Sequence, residues 1–425
     1  MGMGVAEVIL AGHLSAHVLG TVAIGTALFN VANLAAAGVN AALAPAVAQL
    51  DGAGRRGAAG PLFRNALAVA GVLGVLLSVA LYWGGPVVAD LFGFAPDLAA
   101  DVGGFLRAVA PAAIPISLFY CERGLSEGLS MARPTMAFAL LGLLVLVPVG
   151  YALMYGAFGL PSLAARGAGF ATVIACWAQV AGFAIWLRWS GRYRGLGWRH
   201  ANPRVNWTAM TGLLRVGLPM AVSLLLETSL FSAAGLAIGK FGETAVAGHQ
   251  VALSVAAFSF MVPLGIAIAT TVRVGNAAGR GDPAGVRRAG LCGMGLALAV
   301  QAVSGTLMLT LPAEIASLYT DRPDVIERAV VLLRIAGVFQ LSDGLQVAAF
   351  GALRGLKDTR VPMLITALAY WGIGMPVALY LAFEAELGAT GMWYGLIAGL
   401  TVAAGLLTAR FFSLSRRQVS AALYA

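Results

Sequence analysis

Charge is scarce in this 425-residue chain: 11% of its residues are Asp, Glu, Lys or Arg, against 60% that are hydrophobic. A soluble domain carries about a quarter charged residues, so a water-soluble globule is excluded and lipid is the solvent for most of the chain. Cysteine is scarce too. The three present, Cys121, Cys176 and Cys292, share no CxxC or ligand spacing, which excludes a disulfide framework and a zinc site. Four scattered histidines supply no catalytic cluster at one membrane interface, which argues against a membrane-embedded enzyme. The first 20 residues show neither a basic region nor an AxA cleavage pattern, so no signal peptide is expected.

What the chain has instead is long apolar runs. Segments bounded by Gly, Pro and charge fall near residues 1–12, 18–48, 63–84, 99–124, 134–157 and 167–188, then near 213–238, 244–272, 287–311, 326–352, 361–383 and 390–413. Runs of about 20 residues predict membrane-crossing helices, whereas outer-membrane strands are about 10 residues long with alternating polarity. The expected fold is an all-α polytopic membrane protein of two six-helix bundles. An N-lobe is expected over 1–188 and a C-lobe over 211–425, joined by a linker over 189–210. The stretch RWSGRYRGLGWRHANPRVNW, from Arg188, has five arginines interleaved with tryptophans. Beside a membrane helix these are ordinary interfacial anchors, so no nucleic-acid partner is expected.

The net charge of +9 is a topology signal. Alternate loops collect 21 of the 27 basic residues, among them Arg55, Arg123, Arg192, Arg280 and Arg416. The opposite loops hold acids such as Asp97, Glu243 and Asp324. The positive-inside rule then puts the linker and the C-terminus in the cytoplasm of an inner (plasma) membrane.

The halves also repeat. LRAVAPAAIPISLFYCERGLSEG, from Leu106, aligns with LRIAGVFQLSDGLQVAAFGALRG, from Leu333, at an offset of 227 that also pairs Gly12 with Gly239. An even number of spans per repeat leaves the copies parallel, related by a pseudo-two-fold axis along the membrane normal. The same offset shows that the first segment is short: 26 residues, 213–238, precede Gly239, but only 11 precede Gly12. The first helix is expected to be truncated, too short to cross about 30 Å of hydrocarbon.

A few ionisable residues interrupt the apolar runs. Glu227, in LLLETSLF, and Asp343, in FQLSDGLQ, each stand within a helix-length segment. A carboxylate near the bilayer centre costs about 2.5–3.5 kcal/mol on insertion scales, so one that persists there usually faces a cavity and binds something. A pair of such acids suits either one sodium ion or one shared proton, since desolvation and like charge disfavour two bare anions. Glu7, on the short first segment, is a third candidate. Asn30, Asn33 and Asn40 share one helical face, which either looks into a cavity or seals two helices together. His249 is expected to be a hydrogen-bonded histidine near a helix start rather than a proton relay. Glu122, beside Arg123 at the cytoplasmic end of its segment, is expected in a solvated ion pair, with exposure to a cavity as the alternative.

Two motifs carry no chemistry. Gly124-Leu125-Ser126-Glu127-Gly128 fits GxSxG but lies between two helical segments rather than after a strand. GLAIGK, ending at Lys240, is one residue short of a P-loop and lacks the following Ser or Thr.

GLPMAVSLLLETSLFSAAGLAIGKFGETAVAGHQVALSVAAFSFMVPLGIAIATTVRVGNAAGRGD, from Gly217, resembles the seventh and eighth helices of NorM-like transporters of the multidrug and toxic compound extrusion (MATE) family. AGHLSAHVLGTVAIG from Ala11, ALAPAVAQLDGAGRR from Ala42 and FQLSDGLQVAAFGALRGLKDTRVPM from Phe339 agree with it. The resemblance implies a monomeric antiporter that exports cationic, amphiphilic small molecules in exchange for sodium ions or protons, needs no cofactor, and is not an enzyme. It places the coupling acids on Glu227 and Asp343, which would hold the sodium in a sodium-coupled member, with Glu7 at the family's first-helix acid. Phe231 or Phe339 is implied as an aromatic near the cation site; Asn33 and Asn40 are candidate cavity residues from their helical spacing alone. Two fifth-helix asparagines of relatives fall on Leu146 and Gly150, which puts an N-lobe cation site in question. The competing function is a lipid-linked saccharide flippase of the wider superfamily, whose basic cavity would draw on arginines such as Arg107 and Arg334.

Overall fold

The computed structural model describes residues 2–91, 93–197 and 206–423, with side chains of the last helix described as far as Arg416. Ten of its helices are long and apolar enough to cross a membrane. In chain order the membrane helices are α1 Gly2–Gly12, α2 Ala16–Gly52, α3 Arg56–Leu91, α4 Pro96–Gly128, α5 Arg133–Tyr155 and α6 Ala164–Trp189. They continue as α7 Trp207–Phe241, α8 Glu243–Gly279, α9 Pro283–Thr310, α10 Pro323–Gly355, α11 Arg360–Glu384 and α12 Gly388–Leu423. Helix α10 has the length of a span at 33 residues but carries more charge, including Asp343 and Arg354. Helix α1 is short, as its sequence indicates: 11 residues rise about 16 Å, half of a hydrocarbon core.

Local chemistry sets the ends. The Ser15 hydroxyl accepts from the Val18 amide at 3.1 Å and starts α2. Asp282 does the same for α9, accepting from the Gly285 amide at 2.8 Å, with Pro283 following at the first helical position. Gly156, at φ 74°, ends α5 in the left-handed conformation that favours glycine. Most helices run several residues beyond the apolar segments; α3 spans 56–91 where the apolar stretch spans 63–84. Polar residues can continue a helix into the headgroup region because their side chains meet water there.

Chain contacts form two compact units, Met1–Val47 with Arg55–Ala221, and Ala48–Gly54 with Val222–Ala425; they are called the N-lobe and C-lobe here. The changeover falls inside α7, two residues past Pro219, so residues 211–221 belong with the N-lobe. The connection after α6 does not hang free. The Gly60 amide donates to the Leu196 carbonyl at 2.8 Å, Ser126 Oγ and Tyr193 Oη share a hydrogen bond at 2.9 Å, and the Asn206 amide donates to Asn65 Oδ1 at 2.8 Å. Its two described ends are therefore docked on the N-lobe; Trp198, Arg199 and Arg204 lie outside the described residues. Ser126 is also buried, in the last turn of a helix rather than after a strand, which rules out a nucleophile elbow.

Around an apolar core, each lobe buries some polar residues and presents large apolar ones outward. Leu144 is 62% exposed and Leu236 80%, while Gln301 and Gln340 are fully buried. Outward-facing apolar side chains are expected where lipid is the surrounding solvent. The repeat is visible as packing. A Cβ on Gly128 would stand 2.7 Å from both the Ala44 carbonyl oxygen and Val47 Cβ. One on Gly355 would stand 2.7 Å from the Thr271 carbonyl oxygen and 2.8 Å from Val274 Cβ. Both partner pairs are related by the offset of 227, so a helix crossing closed by glycine occurs once in each lobe.

Candidate functional site

In the C-lobe, α7 and α10 are separated by two intervening crossings and so run in opposite directions. Glu227 precedes Phe231 by one turn on α7, and Phe339 precedes Asp343 by one turn on α10. The Phe231 and Phe339 rings meet edge to face, centroids 6.1 Å apart and planes at 79°. Because the helices are antiparallel, that ring contact sets their register and brings the two acids to a common depth one turn away. At least 12 residues separate each acid from its nearer helix end, a rise of about 18 Å, so both lie well inside the membrane.

Asp343 is buried and Glu227 half-buried. The two carboxyls lie within electrostatic reach of each other, and Tyr370 of α11 lies within reach of both. Arg354, one helical stretch below Asp343 and stacked over the Phe350 ring at 5.1 Å, acts electrostatically on Glu227. Among the described residues, neither acid closes a hydrogen bond or an ion pair. Tyr370 Oη and Gln346 Oε1 are likewise buried without a hydrogen-bond partner. Tyr370 and Gln346 stand near enough to interact with each other, whereas the two acids have no donor of their own among the described residues. Buried polar groups are normally satisfied, so this carboxyl pair describes a place suited to a small cationic guest.

Tyr370 sits within a π-helical segment, Leu368–Gly374, and a second one, Tyr380–Glu384, ends the same helix. Such wide turns recur at functional sites because they re-aim side chains that a regular helix would turn away. The Trp371 indole donates to the Leu226 carbonyl at 3.3 Å, tying α11 to α7 immediately beside Glu227. The aromatic cluster continues outward: Phe339 meets Trp393 edge to face at 5.8 Å, and the Trp393 indole donates to His249 Nδ1 at 3.2 Å. An indole nitrogen only donates, so Nδ1 is the acceptor and the proton of the neutral ring lies on Nε2. His249 is thus the hydrogen-bonded histidine its sequence context suggested, deep in the lobe. Sequence alone passed over Tyr370, Gln346 and Trp393; in a membrane helix an aromatic or an amide gives no signal of which way it faces.

The N-lobe candidates are arranged differently. Glu7 is buried against α6, where it accepts a hydrogen bond from the Thr172 hydroxyl. Leu146 is fully buried close by, and a Cβ on Gly150 would meet Leu10 at 3.1 Å, so apolar groups occupy the space where the resemblance places asparagines. Asn40 donates to the Ala36 carbonyl at 2.8 Å, one turn back on its own helix. Asn33 Oδ1 accepts from the Tyr120 hydroxyl at 3.0 Å, which ties α2 to α4, while Asn30 is exposed. Of the two roles open to that face, Asn33 serves the sealing one.

The expected Glu122–Arg123 ion pair is not formed. Adjacent helical residues diverge by about 100°, whereas residues four apart share a face. Arg123 accordingly pairs with Glu127 at 2.7 Å, and Glu122 turns inward with 3% of its surface exposed.

The MatE family model matches residues 1–152 and 219–380. The chain is 43% identical over 420 residues to the probable multidrug resistance protein NorM of Xanthomonas campestris pv. campestris, covering 99% of this chain and 92% of that one. It is 38% identical over 422 residues to the multidrug resistance protein PmpM of Pseudomonas aeruginosa, covering 98% and 88%. Among solved structures, MATE in the bent conformation superposes with a TM-score of 0.90 at 20% identity, over 99% of this chain and 92% of that one. The outward-facing conformation of a multidrug resistance MATE family transporter of the MOP superfamily gives 0.86 at 21% identity, over 99% and 94%. Family match, near-full-length relatives and helical fold agree: this chain belongs to the multidrug and toxic compound extrusion (MATE) family and is a multi-pass membrane transporter, not an enzyme.

Proposed function

We propose that the protein is a multidrug efflux antiporter that exports cationic, amphiphilic compounds in exchange for sodium ions or protons, with Glu227 and Asp343 as the coupling acids. It would act as a monomer in the plasma membrane, with the linker and C-terminus in the cytoplasm, as the distribution of arginine supports. The names of the NorM and PmpM relatives support the substrate class. The observation that carries the coupling assignment is the pairing of two intramembrane carboxyls that find no donor among the described residues.

The chemistry follows from charge. Two anions in a low-dielectric site repel each other, and one small cation, Na⁺ or H⁺, relieves the repulsion. An organic cation competes for the same negative charge, while Phe231 and Phe339 offer ring surface to its apolar part. The coupling ion displaces the drug on the outer side, and the neutralised lobe returns without it. Such a cycle runs only if each ligand binds the two conformations with different affinity.

The test is transport in proteoliposomes under a sodium gradient alone and a pH gradient alone, with Glu227→Gln and Asp343→Asn beside the wild type. One gradient should drive export and both variants should lose it; native rates in both variants would remove these acids from the mechanism. The saccharide flippase is less well supported, since Arg107 and Arg334, the arginines that would greet a pyrophosphate, are exposed rather than gathered in a buried site.

A further inference from the structure

Glu122 is used by nothing described so far. Its carboxyl is buried in α4, Oε2 has no hydrogen-bond partner, and among the described residues the side chain enters no ion pair. It lines a cavity of about 630 Å³ in the N-lobe, together with Phe63 and Arg64 of α3 and Leu187, Arg188 and Trp189 of α6. This volume lies in the range of small-ligand pockets. The fold itself does not call for an acid at this point. At the repeat offset the C-lobe has Ala349, fully buried, two residues before Gly351 just as Glu122 stands two before Gly124. The same crossing therefore packs with a methyl group.

The lining combines one carboxyl, two guanidinium-bearing side chains and an indole. It lies where α3 begins and where α4 and α6 end, the side that the arginine pattern assigns to the cytoplasm. Around it the α6 surface is apolar and outward-facing: Ile185, Trp186 and Trp189 are all exposed, with Trp189 at 83%. Tryptophans in that position mark the headgroup level of a leaflet. A wholly cationic guest would meet two arginines, and a wholly anionic one would meet the unpartnered carboxyl. A guest with both charges and a primary ammonium satisfies each: phosphate for the arginines, N–H donors for the acid.

We propose that this cavity binds the zwitterionic headgroup of an aminophospholipid of the inner leaflet, with Glu122 receiving the ammonium and Arg64 and Arg188 the phosphate. An ethanolamine headgroup offers three N–H donors, and a choline headgroup offers none. Glu122 is thus the residue that distinguishes them, while the arginines serve any phospholipid.

The experiment uses the full chain in detergent, titrated with phosphatidylethanolamine, phosphatidylcholine or phosphatidylglycerol, with bound lipid counted by native mass spectrometry and thermal unfolding followed in parallel. Phosphoethanolamine without acyl chains forms a further arm. Wild-type protein should bind phosphatidylethanolamine about tenfold more tightly than either other lipid, the scale of one charge-assisted hydrogen bond. Glu122→Gln should bring phosphatidylethanolamine down to the level of phosphatidylcholine, and Arg188→Gln should weaken all three lipids together. Glu122→Ala, which installs the residue of the C-lobe counterpart, gives the same readout in a packing the fold already tolerates. Equal binding of the three lipids by the wild type, or an undiminished ethanolamine preference in both Glu122 variants, would overturn the proposal. So would full competition by acyl-free phosphoethanolamine at equal concentration, because the site would then be for a soluble zwitterion.

Discussion

The N-lobe and C-lobe share a scaffold and differ in where they keep their acids. Gly128 and Gly355 close equivalent crossings on equivalent partners, yet the position of Asp343 is Ile116 in the N-lobe and that of Glu7 is Ala234 in the C-lobe. The two lobes also treat their acids differently. The N-lobe gives Glu7 a hydroxyl donor from Thr172, whereas in the C-lobe Glu227 and Asp343 stand near each other without one. Backbone packing is the repeated property of the two halves, and intramembrane charge is the unrepeated one. A satisfied acid holds helices together; an unsatisfied pair is ready for a ligand.

Transport offers the widest margin for breaking this contrast. Glu227→Gln or Asp343→Asn should lower gradient-driven export by at least about tenfold, the consequence of losing an interaction worth about 1.4 kcal/mol or more. Glu7→Gln should keep most of it, measured by fluorescent-drug efflux from the same proteoliposomes. A Glu7 variant as inactive as the other two would give the N-lobe a coupling role of its own. Next in size is the ring pair. Phe339→Ala removes a buried side chain and should cost about 3–5 kcal/mol in thermal or denaturant unfolding, while Phe231→Ala, at a half-buried ring, should cost less.

Smaller effects sharpen the comparison. Gly128→Ala and Gly355→Ala each force a methyl against a carbonyl and a valine, and should destabilise by about 1–3 kcal/mol. Their penalties should agree, and a one-sided result in matched melts would mean that the crossings are not equivalent. Thr172→Val deletes the hydroxyl that Glu7 uses and should cost about 1 kcal/mol, with Thr172→Ser restoring it. Export by the valine variant should stay near the native rate.

Much of the helical frame was legible in the sequence because lipid imposes one rule on every span: about 20 apolar residues between polar ends. The short α1 and the repeat were legible for the same reason. Glu227 and Asp343 stood out because charge is rare in such segments. The surroundings of those acids were hidden, since Tyr370 is aimed by a π-helical turn that no residue pattern announces. Glu122 misled in the other direction. Its neighbour Arg123 looks like a partner in one dimension, but helical geometry gives that arginine to Glu127.

One covalent path between the lobes leads through α7, which passes from one unit to the other just beyond Pro219; the chain also changes unit on either side of Ala48–Gly54. A proline interrupts the hydrogen-bond ladder and leaves the carbonyl four residues earlier, at Arg215, without its usual amide donor. The tether between the halves at this point is thus a rod weakened at one rung rather than a slack string. Sharp bends in helices centre on prolines, so a bend in α7 would fall between its first turns and Glu227, inside a helix rather than in a loop.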